Sequence, residues 1–236
     1  MYVGCANYGD MHFVFDMNQT LVRMSHTHGH FLAGRIPCLD STRFDVEMKR
    51  RMQELDTSPA LREQRFVLNA ADREASRLEW IKIMMAAMNT SQPGVSEVDL
   101  IEEACGASYD RAALPPQWEC YPDTRDVLKI LVDANHTISL LSNFDARAEA
   151  IFEEHLCGFP WRSVDFSFRT GFLKPEARAF TAHERSLGEY GSNLVMVGDD
   201  LYQDGAARQV AWQYLQVSYP HAPLRTVISK YIKSSE

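Results

Sequence analysis

The sequence predicts an α/β protein: a doubly wound parallel sheet interrupted, directly after its first strand, by an all-α insert. Three observations predict this. Apolar runs of strand length recur towards both ends: HFVFD at 12–16, TISLLS at 137–142, LVMVGDD at 194–200 and QYLQVS at 213–218. Polar or glycine-containing turns and then helical patterns follow them, as in βαβ units. Between about residue 24 and residue 118 the strand patterns disappear and apolar residues recur at helical spacing.

Within that stretch Phe44, Met48, Met52 and Leu55 mark one helix. A longer stripe runs through Val67, Ala71, Ala75, Leu78, Ile81, Met85 and Met88. Ser96, with Asp99 three residues on, caps a third helix carrying Val98, Ile101 and Cys105. SQPGV at 91–95 and LPPQW at 114–118 are its breakers. Asp123, with Asp126 three on, caps TRDVLKILVDA, and Pro175 opens PEARAFTAHERSL as a first-turn proline. The tail LRTVISKYIKSS has an amphipathic stripe, Leu224, Ile228 and Ile232, and packs back as a last helix. The expected division is a core of residues 1–22 and 119–236 and a helical domain of residues 23–118.

The chain has 236 residues, 45% hydrophobic and 24% charged, ordinary for a globular protein able to bury its own core. Its 32 acidic and 24 basic residues give a formal net charge of −8, which argues against a broad nucleic-acid or anionic-membrane surface. A small phosphorylated substrate needs only a few local donors and remains compatible. No apolar run approaches the roughly 20 residues that cross a bilayer. The segment MYVGCANYGD lacks a signal or transit pattern, so a cytoplasmic location is expected, with a mitochondrial or other organellar address left open. Five scattered cysteines without a Cys-x-x-Cys pair fit a reducing compartment rather than a cysteine metal site.

Ligands of an open parallel sheet sit beyond the carboxyl ends of its strands. Those ends carry Asp16, Ser142 and the pair Asp199 and Asp200, with Asp204 one helical turn on and Lys174 in the loop GFLKP. Taken singly, Asp16 is a turn or helix cap, Ser142 a turn residue and Lys174 a solvated charge. Together they gather several carboxylates, a hydroxyl and an ammonium at one edge. Such acids raise one another's pKa unless a cation compensates them, and Mg²⁺ takes oxygen ligands of this kind. One carboxylate oxygen is then free to attack phosphorus, while Ser142 and Lys174 hold phosphoryl oxygens.

These ordered motifs resemble the haloacid dehalogenase-like hydrolase superfamily, whose core is Rossmann-like. FDMNQTLV with Asp16 to Thr20 is similar to its first motif, LLSNFD with Ser142 to the second, GFLKPEARAF with Lys174 to the third, and VMVGDDLYQDGAARQVAW to the fourth. ISLLSNFD and GDDLYQD look most like the branch holding the domain-containing protein 3 and rhythmically expressed gene 2-like proteins. The insert stands where that family carries its first-type helical cap. The resemblance implies that Asp16 is the nucleophile of an aspartyl-phosphate mechanism. It places Mg²⁺ on Asp16, the Asn18 carbonyl and Asp199, supported by Asp200 or Asp204. It assigns phosphoryl binding to Ser142 and Lys174, with Thr20 and Asn143 among the substrate-binding positions.

Two residues depart from the pattern. Phosphatases of the family carry an aspartic acid two residues after the nucleophile, where it protonates the leaving oxygen; this chain has Asn18, whose amide cannot deliver that proton. Gln19 occupies a usual glycine position and is strained if that position needs a positive φ. The expected function is a Mg²⁺-dependent phosphohydrolase weakened by Asn18. The alternative is an inactive relative serving as a binding or structural subunit with protein partners. The dehalogenase reading is less attractive, because those relatives need no metal and lack the paired acids of GDD. A phosphonatase would need a Schiff-base lysine in the insert, and Lys49 and Lys82 sit among charged or apolar helical neighbours. His26, His28 and His30 read as a solvated hinge, with a substrate contact as the alternative. Trp80 with Met84, Met85 and Met88 reads as insert core rather than a cofactor box, Trp118 and Tyr121 as linker packing with the active-site mouth as the alternative, and MKRR at 48–51 as a solvated face with a partner contact as the alternative.

Overall fold

The computed structural model describes residues 10–93 and 98–232. Five parallel strands form the sheet: β1 (His12–Phe15), β4 (Thr137–Ser142), β5 (Trp161–Phe166), β6 (Leu194–Gly198) and β7 (Gln213–Gln216). Their spatial order is β5-β4-β1-β6-β7. β1 is therefore central, and Phe15 lies in register with Leu140 on one side and Val197 on the other. This places the chain reversal, where crevices open in such sheets, at the carboxyl end of β1.

Near-continuous apolar runs form these strands because both faces are covered. Phe13, Phe15, Ile138, Leu140, Val195 and Val197 join one core cluster. Their alternates Val14, Leu141, Leu194 and Met196 join the other, as the period of two requires. The first face is covered by α6 (Thr124–Asp133), α7 (Ala148–His155) and α10 (Leu224–Ile228). The second is covered by α9 (Ala177–Leu187) and the turn Gly205–Val210. Leu224 and Ile228 are buried, with Ile232 packed beside them, so the tail does return to the core.

After β1, a two-stranded antiparallel ribbon of β2 (Val22–Met24) and β3 (Trp118–Cys120) carries the chain out and back. Between them lie α1 (His28–Ala33), α2 (Ser41–Thr57), α3 (Arg62–Leu68), α4 (Arg73–Ser91) and α5 (Val98–Ala112). These helices enclose a cluster of their own, in which Phe44, Met84, Met88, Cys105 and Tyr109 are buried. The short helix α8 (Ser167–Thr170) follows β5.

Local signals explain most element ends and miss some. Asp40 and Asp72 cap α2 and α4 through side-chain hydrogen bonds to Arg43 N and to the Glu74 and Ala75 amides. The cap expected from Asp123 does not form. Its carboxylate instead accepts from the Tyr219 hydroxyl at 2.7 Å and the Arg225 amide at 2.9 Å, tying α6 to the tail. Pro175 stands ahead of α9, which starts at Ala177. The expected cap at Ser96 and the N-terminal segment with Cys5 lie outside the described residues. Among the described residues no helix is long and apolar enough to cross a membrane.

Candidate active site

Strand register builds the site. Asp16 follows β1, and its amide donates to the Val197 carbonyl at 2.9 Å, so its side chain leaves the sheet between β4 and β6. Ser142 closes β4 and donates from its hydroxyl to Asp16 Oδ1 at 2.8 Å. Lys174 Nζ donates to the same oxygen at 2.8 Å and to Asp204 Oδ1 at 2.5 Å. Lys174 is 1% exposed; burial opposes its charge, but the facing carboxylates of Asp16 and Asp204 outweigh that and raise its pKa.

Carboxylate oxygens of Asp16, Asp199 and Asp204 lie within 4.8 Å of one another. Lys174 serves two of them. The Asp199 carboxylate has no hydrogen-bond partner among the described residues, and burial, followed by repulsion from Asp16 and Asp204, pushes its pKa up to about 8. Asp204 is likewise pushed up to about 7, first by burial, against the pull of Lys174. Gly198 makes this packing feasible: a Cβ there would stand 2.0 Å from Asp204 Oδ2. Asp200 lines the cavity beside the cluster. Its side chain accepts from the amides of Tyr202 and Gln203 at 2.7 and 2.9 Å, shaping the loop, and it is not one of the three clustered carboxylates.

Asn18 is half-buried on the cavity wall, and its side-chain oxygen is buried without a partner. Gln19 has φ 60°, the left-handed conformation that the usual glycine position implies, and its side chain accepts from the Tyr121 hydroxyl at 2.9 Å. Thr20, expected to touch substrate, is instead wholly buried and lies outside the cavity wall. Asn143 does line the cavity and works on the backbone: Lys174 N donates to its Oδ1 at 2.9 Å, and its Nδ2 donates to the Lys174 carbonyl at 2.8 Å and to Gln203 Oε1 at 2.7 Å.

A cavity of about 320 Å³ rises from these residues to the helical insert. Sequence reasoning missed most of its upper wall. His28 lines it, donating or accepting at Nδ1 with Ser108 Oγ at 2.9 Å, so the SHTHGH segment is not simply a solvated hinge. His26 and His30 stack on each other outside the cavity wall, ring centroids 4.3 Å apart. Burial, and secondarily Arg147, pushes His28 down to about 3. Trp80 and Trp118 also face the cavity rather than serving only as core and linker packing. Arg147 pairs with Asp145, Nη2 to Oδ2 at 2.8 Å, and both are buried. The insert meets the core through Gln203 Nε2 to Asp56 Oδ2 at 2.7 Å and through Arg62 and Arg65 on Glu176 at 3.0 and 3.3 Å. A charged pair such as Asp145 and Arg147, two residues apart just after a strand, was the readable signal for part of this wall.

A parallel sheet gathers these carboxylates, a hydroxyl and a lysine at its strand ends, and the family match makes the protein a hydrolase. The profile of haloacid dehalogenase-like hydrolases matches residues 11–211, and the chain belongs to that family. Among curated proteins it is similar to the haloacid dehalogenase-like hydrolase domain-containing protein 3 of Xenopus laevis, 21% identical over 149 residues, covering 63% of this chain and 60% of that protein. The match thus spans about three fifths of that relative's length. Among solved structures it superposes on a dehalogenase caught with an intermediate, TM-score 0.67, 16% identical, covering 92% and 88% of the two chains. The L-2-haloacid dehalogenase of Xanthobacter autotrophicus gives 0.61 at 18% identity, covering 94% and 83%. A predicted phosphoglycolate phosphatase of Haemophilus somnus 129pt gives 0.54 at 12%, covering 95% and 92%. At these identities the superpositions establish the shared fold.

Proposed function

We propose that this hydrolase is a Mg²⁺-dependent phosphohydrolase acting through Asp16 on a small phosphorylated molecule, with residues 23–118 as its cap. The observation that carries the proposal is Asp199: a half-buried carboxylate beside Asp16 and Asp204, with their one lysine already engaged. A divalent cation relieves that repulsion, and the oxygen-only donor set suits Mg²⁺ better than a softer metal. Asp16, the Asn18 backbone carbonyl and Asp199 would hold it, with Asp204 in support. Bound there, the ion supplies charge neutralisation for the phosphoryl oxygens.

The chain's own residues do the rest. Ser142 and Lys174 both occupy Asp16 Oδ1, leaving Oδ2 without a hydrogen bond among the described residues and available as the nucleophile. Attack by Oδ2 makes a P–O bond while the bond to the leaving oxygen breaks and its electron pair departs with that oxygen. Water then attacks the phosphoryl group on Asp16, releasing phosphate and restoring the carboxylate. Ser142 and Lys174 donate to the charge that develops. Asn143 positions Lys174 by holding both faces of its backbone.

A dehalogenase reading, suggested by two of the structural likenesses, leaves Asp199 without a role. A second reading, an inactive relative that binds other proteins, is favoured by Asn18, which removes the proton donor. The test is a panel of phosphate esters and acyl phosphates with Mg²⁺ on wild type, Asn18→Asp and Asp16→Asn. Wild-type turnover abolished in Asp16→Asn supports the enzyme; a silent wild type beside an active Asn18→Asp supports the second reading.

A further inference from the structure

The upper cavity wall has a chemical character of its own. Trp80 from α4, His28 from α1, Trp118 from β3 and Phe144 after β4 line it. The rings of His28 and Trp80 stand 5.8 Å apart. The indole nitrogen of Trp80 is buried without a hydrogen-bond partner, an unmet donor whose desolvation has a cost. His28 spends Nδ1 on Ser108, and its other ring nitrogen has no hydrogen bond among the described residues. Because the protein around it keeps the imidazole neutral, it offers a hydrogen bond and no charge.

Charge narrows the occupant further. Six aspartates line the cavity against three cations, and each cation has an acidic or carbonyl partner, with only Arg65 Nε left buried and unpaired among the described residues. Arg147 is held by Asp145, Arg65 by Glu176 and the Asp56 carbonyl, and Lys174 by Asp16 and Asp204. A second anionic group on the substrate, such as a carboxylate or another phosphate, would meet an excess of carboxylates and no cation that is not already paired through part of its head group. Asn18 narrows it from the other side. Without a proton donor the leaving oxygen departs as an anion, tolerable for a phenol with a pKa near ~10 and costly for an alkanol near that of water, ~16.

We infer that the substrate is an aryl monophosphate with no second charge, its ring seated among Trp80, His28, Trp118 and Phe144. This rests on the phosphohydrolase reading above. Transfer forms the Asp16 Oδ2–P bond and breaks the aryl O–P bond; the phenolate takes its proton from water.

The test pairs binding with turnover. With Mg²⁺, calorimetry compares phenylphosphonate, phosphonoacetate and inorganic phosphate on wild type, Trp80→Ala and Trp80→Phe. The wild type is expected to bind phenylphosphonate at least tenfold more tightly than phosphonoacetate. Trp80→Ala weakens phenylphosphonate about five- to tenfold and leaves inorganic phosphate unchanged, while Trp80→Phe keeps most of the preference, since it retains the ring. In parallel, substituted phenyl phosphates should turn over at least a hundredfold faster than glycerol phosphate. Equal or better binding of phosphonoacetate, or a preference intact in Trp80→Ala, overturns the aryl assignment even if the protein is a phosphatase. Aryl preference in binding without any turnover overturns the phosphatase reading and leaves the ring site standing.

Discussion

Replacing Gly198 by alanine tests the construction of the site from a single methyl group. An added Cβ would lie 2.0 Å from Asp204 Oδ2 and 2.3 Å from its Cγ, so the carboxylate must retreat by about 1 Å to reach even 3.0 Å. That retreat pulls Oδ1 away from Lys174 Nζ, now at 2.5 Å, and Oδ2 from the Asp200 amide, now at 3.1 Å. Both Lys174 and Asp204 are 1% exposed, so water cannot replace the lost partner. Breaking such a pair costs about 3 kcal/mol, the lower end for buried ion pairs, because Asp16 still holds Lys174. In a chain of this size that lowers Tm by roughly 6–12 °C. Urea unfolding of wild type, Gly198→Ala, Asp204→Ala and the double variant measures it. In the Asp204→Ala background Cβ remains at 2.8 Å, still too close, so Gly198→Ala there should keep a cost, smaller than in wild type because the ion pair is already gone. Equal costs in both backgrounds, or a Gly198→Ala protein as stable as wild type, would refute the reasoning.

Other outcomes follow from the same geometry. Asn18→Asp adds the missing acid on the cavity wall and should raise alkyl phosphate turnover by about 10²-fold while changing aryl phosphates much less, read from kcat on the two classes. Asp199→Asn removes the unpaired carboxylate; it should raise metal-free stability by about 1 kcal/mol and abolish Mg²⁺ binding, seen by melting with and without the ion. His28 has a folded pKa held down near about 3 against 6.5 when free, so its contribution is present above pH 6.5 and is lost as pH falls towards 3. Because one ring edge meets cavity water, the loss between pH 7 and pH 4 is about 2 kcal/mol, and His28→Asn should flatten that part of the stability profile. Gln203→Leu cuts both the Asp56 and Asn143 hydrogen bonds and should raise KM more than it lowers kcat, measured by initial rates.

What the sequence disclosed divides along a physical line. Strand-end chemistry was readable because it depends on local order: an apolar run, an acid, a turn. Asp16, Ser142, Lys174 and Asp204 therefore meet where the parallel-sheet reading puts them. The positive φ at Gln19 was foreseen only through the resemblance, which implied a glycine position there. The upper wall was not. His28, Trp80 and Arg147 stand on segments more than fifty residues apart, brought together by packing of the insert against the loop after β4. Periodicity put Trp80 near a helix's apolar stripe but could not show that this position faces a cavity. Asp123 failed as a cap because two tail residues, about a hundred positions on, compete for its carboxylate. Asp200 lies outside the carboxylate cluster, its Oδ1 taken by its own loop's amides.

Glu176 stands two residues beyond Lys174 and carries Arg62 and Arg65 of the insert; Gln203 stands one residue before Asp204 and carries Asp56. The fastenings of the insert are thus rooted in the two loops that position the charged floor. Displacing the helices would strain the loops that hold Lys174 and Asp204, tying the insert's position to the geometry of the charged floor. A variant that loosens Arg62, which lies outside the cavity wall, should accordingly disturb the site's electrostatics from a distance.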